Sequence, residues 1–212
     1  SEPAAPRQSL KSAADDAGQP LLLSDLLKRD PAAAREAARI TDPDVLPGTS
    51  AFAGYLTVDE AKRNHMYFMY FEPQSSPQPN ERFPLVVWLQ GGPGASSLFG
   101  LFAENGPVAI REDMTAEQRD IHWNKEFGLL YIDNPVGVGF SWSESQAMSN
   151  SSRGDVADQL FSVLDQVYTL FPNLVDESEL IISGESYAGH YSSGFAAKVK
   201  REVEAGSLIP FR

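Results

Sequence analysis

The 212-residue chain contains no cysteine. That absence removes structural disulfides, a thiolate nucleophile and the Cys-based sites that structural zinc favours. It does not fix a compartment, because a disulfide-free protein can still work in an oxidising or acidic one. Positive charge is also scarce: 17 Lys and Arg stand against 29 Asp and Glu, a net charge of −12. A surface that grips nucleic acid needs a basic footprint, so that class of partner is excluded. No run approaches the ~18 apolar residues that a bilayer-spanning helix requires, and no membrane partner is expected. Internal repeats, heptads and clusters of metal-ligand residues are missing as well. The glycine-rich turn Gly91 to Gly94 lacks the Lys of a phosphate-binding loop. Neither a metal nor a cofactor is expected.

What is present reads as one domain of alternating strands and helices. At 42% apolar content, 212 residues can bury a sizeable core. The first twenty residues, rich in Ala, Ser, Pro and Gln, read as disordered. Residues 24–40 predict a helix interrupted at Pro31, so residues 1–48 are expected to form an arm, either propeptide-like or a simple peripheral helix. No signal peptide is legible at Ser1, Glu2 and Pro3, and the expectation is that a leader has been removed. Residues 50–58 and 65–71 predict an antiparallel pair rich in aromatic and β-branched side chains. Apolar strands are expected at 85–89, 127–133 and 180–183. Val156, Leu160, Val163, Leu164, Val167 and Leu170 recur at helical spacing and predict a covering helix over 152–171, with a further helix over 187–204. Strand, helix, strand, helix implies an α/β architecture with a mostly parallel sheet and right-handed crossovers.

Two glycine clusters sit where strands end. Gly184-Glu185-Ser186-Tyr187-Ala188-Gly189 follows the apolar run Leu180-Ile181-Ile182 and precedes a helical pattern. A serine at such a strand-to-helix turn is pushed clear of the sheet and needs small neighbours, which makes Ser186 a candidate nucleophile. Ala188 replaces the second Gly of the strict pattern but keeps the room that close backbone approach requires. The alternative is a surface loop at a helix start. The second cluster, Gln90-Gly91-Gly92-Pro93-Gly94, directly follows Leu85-Val86-Val87-Trp88-Leu89. Its bare N–H groups could supply one oxyanion donor, with the N–H of Tyr187 as the other; taken alone, it could equally be an ordinary turn.

Four segments together resemble the serine carboxypeptidase family, nearest its vitellogenic-like branch. They are Phe83 to Gly94, Gly100 to Pro107, Asp133 to Ser141 and Gly184 to Tyr191, in the family's order. The resemblance covers residues 51–200 and implies an α/β-hydrolase fold, of which residues 49–212 would be the N-terminal part of the catalytic domain. It implies removal of single residues from peptides with a free C-terminus, usually at acidic pH, in lysosomes, vacuoles or secretions. Position by position, Ser186 resembles the nucleophile, and the N–H groups of Gly92 and Tyr187 resemble the oxyanion hole. Glu104 and Glu185 match an acidic pair that, with the Gly91 N–H and an amide side chain, holds the substrate carboxylate. Most members carry Asn at the amide position; this chain has Gln90, one methylene longer but with the same donor group. The family also commonly has Cys where this chain has Ala95.

An acidic pair can hold a third acid only by keeping a proton. Two carboxyls in contact do not easily both ionise, and the retained proton can be donated to the incoming carboxylate. Peptide binding is therefore expected to weaken above roughly neutral pH. Outside the resemblance, Glu104 could as well cap a helix and Glu185 sit in a solvated turn.

A serine hydroxyl also needs a histidine base and an acid to orient it, and in this fold both follow the nucleophile in sequence. His190 is the sole histidine after Ser186, and it belongs to the elbow helix rather than to a triad; His65 and His122 read as structural. The acid and base are therefore expected to lie outside this chain, either on a second chain of a processed enzyme or on a missing second half, and the chain alone should hydrolyse very poorly. Two other readings stay open: an acyltransferase, which need not keep the acidic pair, and a non-catalytic scaffold. Asn150-Ser151-Ser152 is an N-glycosylation sequon that would suit secretory passage.

Overall fold

The computed structural model describes residues 18–75, 81–145 and 152–211. Asn150 lies outside them. The first helix, α1 (Ser24–Arg29), stops at Asp30, and α2 (Pro31–Ala38) restarts there. Pro31 takes the first helical position, where its missing N–H costs nothing, and the Asp30 side chain accepts the Ala33 N–H at 3.0 Å. The helix expected over 24–40 is thus two helices, and its last residues instead form β1 (Arg39–Ile40), paired with Phe52 and Ala51. Leu23, Leu27, Ala34 and Ala38 are buried in the main core.

The main sheet is mixed. β2 (Ala51–Asp59) and β3 (Asn64–Phe71) form the expected antiparallel pair, with a register shift between Thr57 and Asp59. Beyond β3 lie β7 (Gly128–Ile132), β4 (Phe83–Leu89) and β9 (Ser178–Gly184), in that spatial order. β7 is antiparallel to β3, whereas β7, β4 and β9 are mutually parallel. A short strand, β8 (Trp142–Ser143), pairs with the start of β3.

The unbroken apolar runs of β4 and β7 have a simple cause: both strands are buried on both faces. At the sheet's edge, β9 instead buries Ser178 and Leu180 and leaves Glu179 and Ile181 exposed. Leu85, Val87 and Leu89 of β4 face one cluster, and Val86 and Trp88 face the other. β7 alternates in the same way, with Leu130 and Ile132 on the first face and Leu129 and Tyr131 on the second. The first face is covered by α3 (Arg153–Leu170) and α5 (Ala188–Glu204), which contribute Leu160, Val163, Leu164, Val167, Phe195 and Val199. Ser152 and Asp155 cap α3 reciprocally through each other's backbone N–H. A short helix, α4 (Leu174–Glu177), leads into β9. On the second face, a π-helical turn at Gly100–Asn105 and the hairpin β5 (Val108–Ile110) and β6 (Ala116–Gln118) contribute Leu101 and Val108. No helix among the described residues is long and apolar enough to cross a membrane.

Candidate active site

Parallel strands deliver their C-terminal ends to one edge of a sheet, and in open α/β folds ligands collect at that edge. Here Gln90 follows β4, Asp133 follows β7 and Glu185 follows β9. The turn after β9 is tight. Ser186 has φ +55°, a left-handed conformation that costs a side-chain-bearing residue roughly 1–3 kcal/mol, and it lies exposed. The turn closes into α5 through Ala188 N–H to the Glu185 carbonyl at 2.9 Å and Gly189 N–H to the Ser186 carbonyl at 3.1 Å.

Two glycines are required by close approach. A Cβ on Gly184 would lie 2.7 Å from the Ala188 Cβ and 2.9 Å from the Leu89 carbonyl oxygen. A Cβ on Gly91 would lie 2.6 Å from the Glu185 carbonyl oxygen and 2.9 Å from the Tyr187 nitrogen. The glycine-rich loop is therefore pressed against the turn that carries Ser186. Among the described residues, neither the Gly92 nor the Tyr187 N–H has a hydrogen-bond acceptor. Both amides stay out of the sheet ladder, which ends at the Leu89 and Gly184 pair.

The polar residues beside this turn form a chain. The Trp88 indole N–H donates to Gln90 Oε1 at 2.9 Å, which leaves the Gln90 amide nitrogen to donate to Glu185 Oε2 at 2.6 Å. Glu104, at the end of the π-helical turn, lies within hydrogen-bonding reach of both Glu185 and Gln90. Its carboxyl is pushed above the ordinary value, first by withdrawal from water and then by the hydrogen bond to Glu185 and that residue's negative charge. The Gln90 amide and the Arg119 guanidinium pull the other way. Gln90, Gly91, Glu104 and Glu185 thus come together next to Ser186, Tyr187 and Gly92.

Three contributors to this geometry escaped sequence reasoning. Asp133 is buried and accepts from the Ser96 hydroxyl at 2.6 Å, the Ser97 N–H at 2.9 Å and the Phe140 N–H at 2.8 Å. One carboxylate thereby ties the glycine-rich loop to the turn at Gly137 and Gly139. The Ser97 hydroxyl in turn accepts the Gln90 N–H at 3.1 Å. The second contributor, Trp88, fixes which end of the Gln90 amide faces Glu185. The third, Arg119, binds the backbone of the turn that bears Glu104. Asp133 and Trp88 carried a sequence signal only as members of motif segments, not as a loop tie and an amide anchor, and Arg119 carried none.

The histidines stand apart. His65, buried on β3, exchanges a hydrogen bond with the Thr57 hydroxyl at 3.0 Å. His122 is buried without a partner for either ring nitrogen among the described residues. Burial pushes both imidazoles below their ordinary value, which favours the neutral form. His190 lies on α5 with its ring 4.7 Å from the Tyr187 ring, and makes no hydrogen bond to Ser186. No group of residues suited to holding a metal occurs among the described residues.

Comparison with known proteins now bears on this geometry. The family model described as serine carboxypeptidase matches residues 43–211. The probable serine carboxypeptidase CPVL of Mus musculus is 42% identical over 85% of this chain and 37% of its own length. The vitellogenic carboxypeptidase of Aedes aegypti is 39% identical over the same two shares. Among solved structures, a prohormone-processing carboxypeptidase from Saccharomyces cerevisiae superposes with a TM-score of 0.65 at 27% identity, covering 79% of this chain and 37% of that one. The chain thus spans about 37% of the length of these relatives.

Proposed function

The chain belongs to the serine carboxypeptidase family and has the α/β-hydrolase fold, and from that premise we propose that it carries the nucleophile, oxyanion hole and carboxylate clamp of an enzyme that releases C-terminal residues from peptides. The base and its orienting acid come from sequence outside these 212 residues, on a continuation or on a second chain. Ser186 Oγ attacks the last peptide carbonyl as its proton passes to that base, and an acyl-enzyme forms as the C-terminal residue leaves. Negative charge on the carbonyl oxygen is met by the Gly92 and Tyr187 N–H groups, each worth about 10²–10³ in rate in such a role. Water then releases the acyl group.

The observation that carries this reading is the joining of two half-sites at one sheet edge. An exposed serine in a strained turn lies beside two unoccupied N–H groups and next to a Glu104, Glu185 and Gln90 cluster. The cluster's retained proton and the second hydrogen of the Gln90 amide give a peptide carboxylate neutral donors, joined by the Gly91 N–H. An acyl acceptor without a carboxylate has no use for that pair, so the pairing favours the peptidase over the acyltransferase. The clamp works best in acid, which fits a secretory, lysosomal or vacuolar setting, and a relative from Apis mellifera is named as a venom carboxypeptidase.

The test compares an N-blocked dipeptide with its C-terminal amide, using the enzyme in its natural form. Release of the terminal residue from the free acid, with little turnover of the amide at acidic pH, is the expected result. Equal turnover of both would remove the clamp from the account.

A further inference from the structure

The acidic pair poses a placement problem. Glu185 is fixed by the sheet, because it directly follows β9 and its N–H bonds the Leu89 carbonyl at 3.2 Å. Glu104 has no strand beneath it. It is exposed, and it sits in a six-residue π-helical turn, Gly100–Asn105, whose last carbonyls lack intrahelical partners. An exposed side chain on so short a turn keeps its place beside Glu185 and Gln90 only if the backbone beneath it is held, because ordering a free Glu side chain and its backbone costs entropy.

Three contacts hold the turn. Gly100 at its start lies against the Trp88 indole, where a Cβ would collide with the ring nitrogen. Asn105 at its end accepts the buried Tyr131 hydroxyl at 2.7 Å. Arg119, directly after β6, donates from Nη1 to the Glu104 carbonyl at 2.7 Å and from Nη2 to the Phe102 carbonyl. Its own N–H bonds the Pro107 carbonyl at 2.9 Å, so the hairpin is laced to the same stretch. Of the three, only Arg119 bonds the Glu104 residue itself. A planar guanidinium spanning two carbonyls fixes direction as well as distance, which a flexible ammonium cannot do.

We propose that Arg119 is a positioning residue for recognition of the substrate's terminal carboxylate, holding the backbone at Glu104 so that its side chain stays against Glu185 and Gln90. The inference rests on the reading that this pair receives a carboxylate. It assigns to the β5 to β6 hairpin, far in sequence from Ser186, a share in substrate recognition. Arg119 neither touches the substrate nor reaches the reacting atoms.

The test uses Arg119→Met and Arg119→Lys in the natural enzyme, with an N-blocked dipeptide acid and an N-blocked amino-acid ethyl ester that has no carboxylate. For Arg119→Met the KM of the acid is expected to rise about 10- to 100-fold, as loss of positioning predicts. Its kcat should stay within about threefold, and the ester KM should not move. Arg119→Lys, which keeps the charge but cannot span both carbonyls, should fall between wild type and Arg119→Met. The labelling rate of Ser186 by a fluorophosphonate reports whether each variant is folded. If Arg119→Met does not fold, Arg119→Lys carries the test, through the ratio of acid KM to ester KM. An unchanged acid KM, or equal losses on acid and ester, overturns the proposal. A wild-type enzyme that treats acid and amide alike overturns the clamp itself, a result distinguishable from a discriminating wild type whose variants still discriminate.

Discussion

The two halves of the sheet are held together by different means. On the antiparallel side the interior is interlocking rings: Phe171 meets Phe52 and Tyr70 edge-on, each at 4.8 Å between centroids, and the Arg35 guanidinium lies over Phe52 and Phe171. No backbone there needs unusual torsions, apart from loop positions such as Arg63. On the parallel side the strand ends run into glycines that no side chain could replace, a serine at φ +55° and a buried carboxylate with three donors. The first arrangement resists unfolding; the second gives up some local stability to keep a hydroxyl and two amides bare. Substitutions should therefore separate cleanly, with stability lost on one side and activity on the other.

The largest effect expected is on the active side. Ser186→Ala should lower kcat/KM by about 10⁴-fold or more in the natural enzyme, with the melting temperature nearly unchanged. On the packing side, Phe171→Ala should cost about 3–5 kcal/mol in denaturant unfolding, while turnover measured well below its melting temperature stays near wild type. Loss of turnover in the folded variant would break the contrast. Gly91→Ala, whose Cβ would sit 2.6 Å from the Glu185 carbonyl oxygen and 2.9 Å from the Tyr187 nitrogen, should cut turnover about 10²–10³-fold by closing the space before that donor.

A pH profile gives the next effect in size. Because the Glu104 carboxyl is raised, its proton is present below the raised value and lost above it, so binding of free acids weakens as pH rises through it. The KM for a dipeptide acid should climb by up to about tenfold per pH unit there, and Glu104→Gln, a neutral donor at every pH, should flatten the climb. The smallest effect is the most diagnostic of strain: Ser186→Gly should raise stability by about 1 kcal/mol while abolishing turnover, since glycine accepts a positive φ freely. A destabilised Ser186→Gly would mean that the turn stores no strain.

Much of the fold was legible because burial, on both faces in β4 and β7 and on one face in β9 and α3, writes itself into sequence. The apolar runs behind β4, β7 and β9 and the helical spacing behind α3 named those elements, and Pro31 marked the break between α1 and α2. β9 extends beyond the expected 180–183 because its pairing with β4 runs from Phe83 and Ser178 to Leu89 and Gly184, a fact of partners rather than of local pattern. The three-residue strands β5 and β6 and the π-helical turn left no periodic trace at such lengths. The same holds at the candidate site. Gly91, Gly184 and Ser186 stand out because steric need restricts them to small or special residues. Asp133 and Arg119 act through neighbours 36 and 15 positions away, on Ser97 and Glu104, and an isolated Asp or Arg looks like any surface charge.

The most direct measurement is the site of covalent capture. The natural enzyme, treated with a fluorophosphonate and digested for mass spectrometry, should carry a single phosphonyl adduct on Ser186, and a peptide with a free C-terminus should slow its formation more than the matching amide does at acidic pH. An adduct on any other serine, or none on an enzyme that still releases C-terminal residues, would contradict the account.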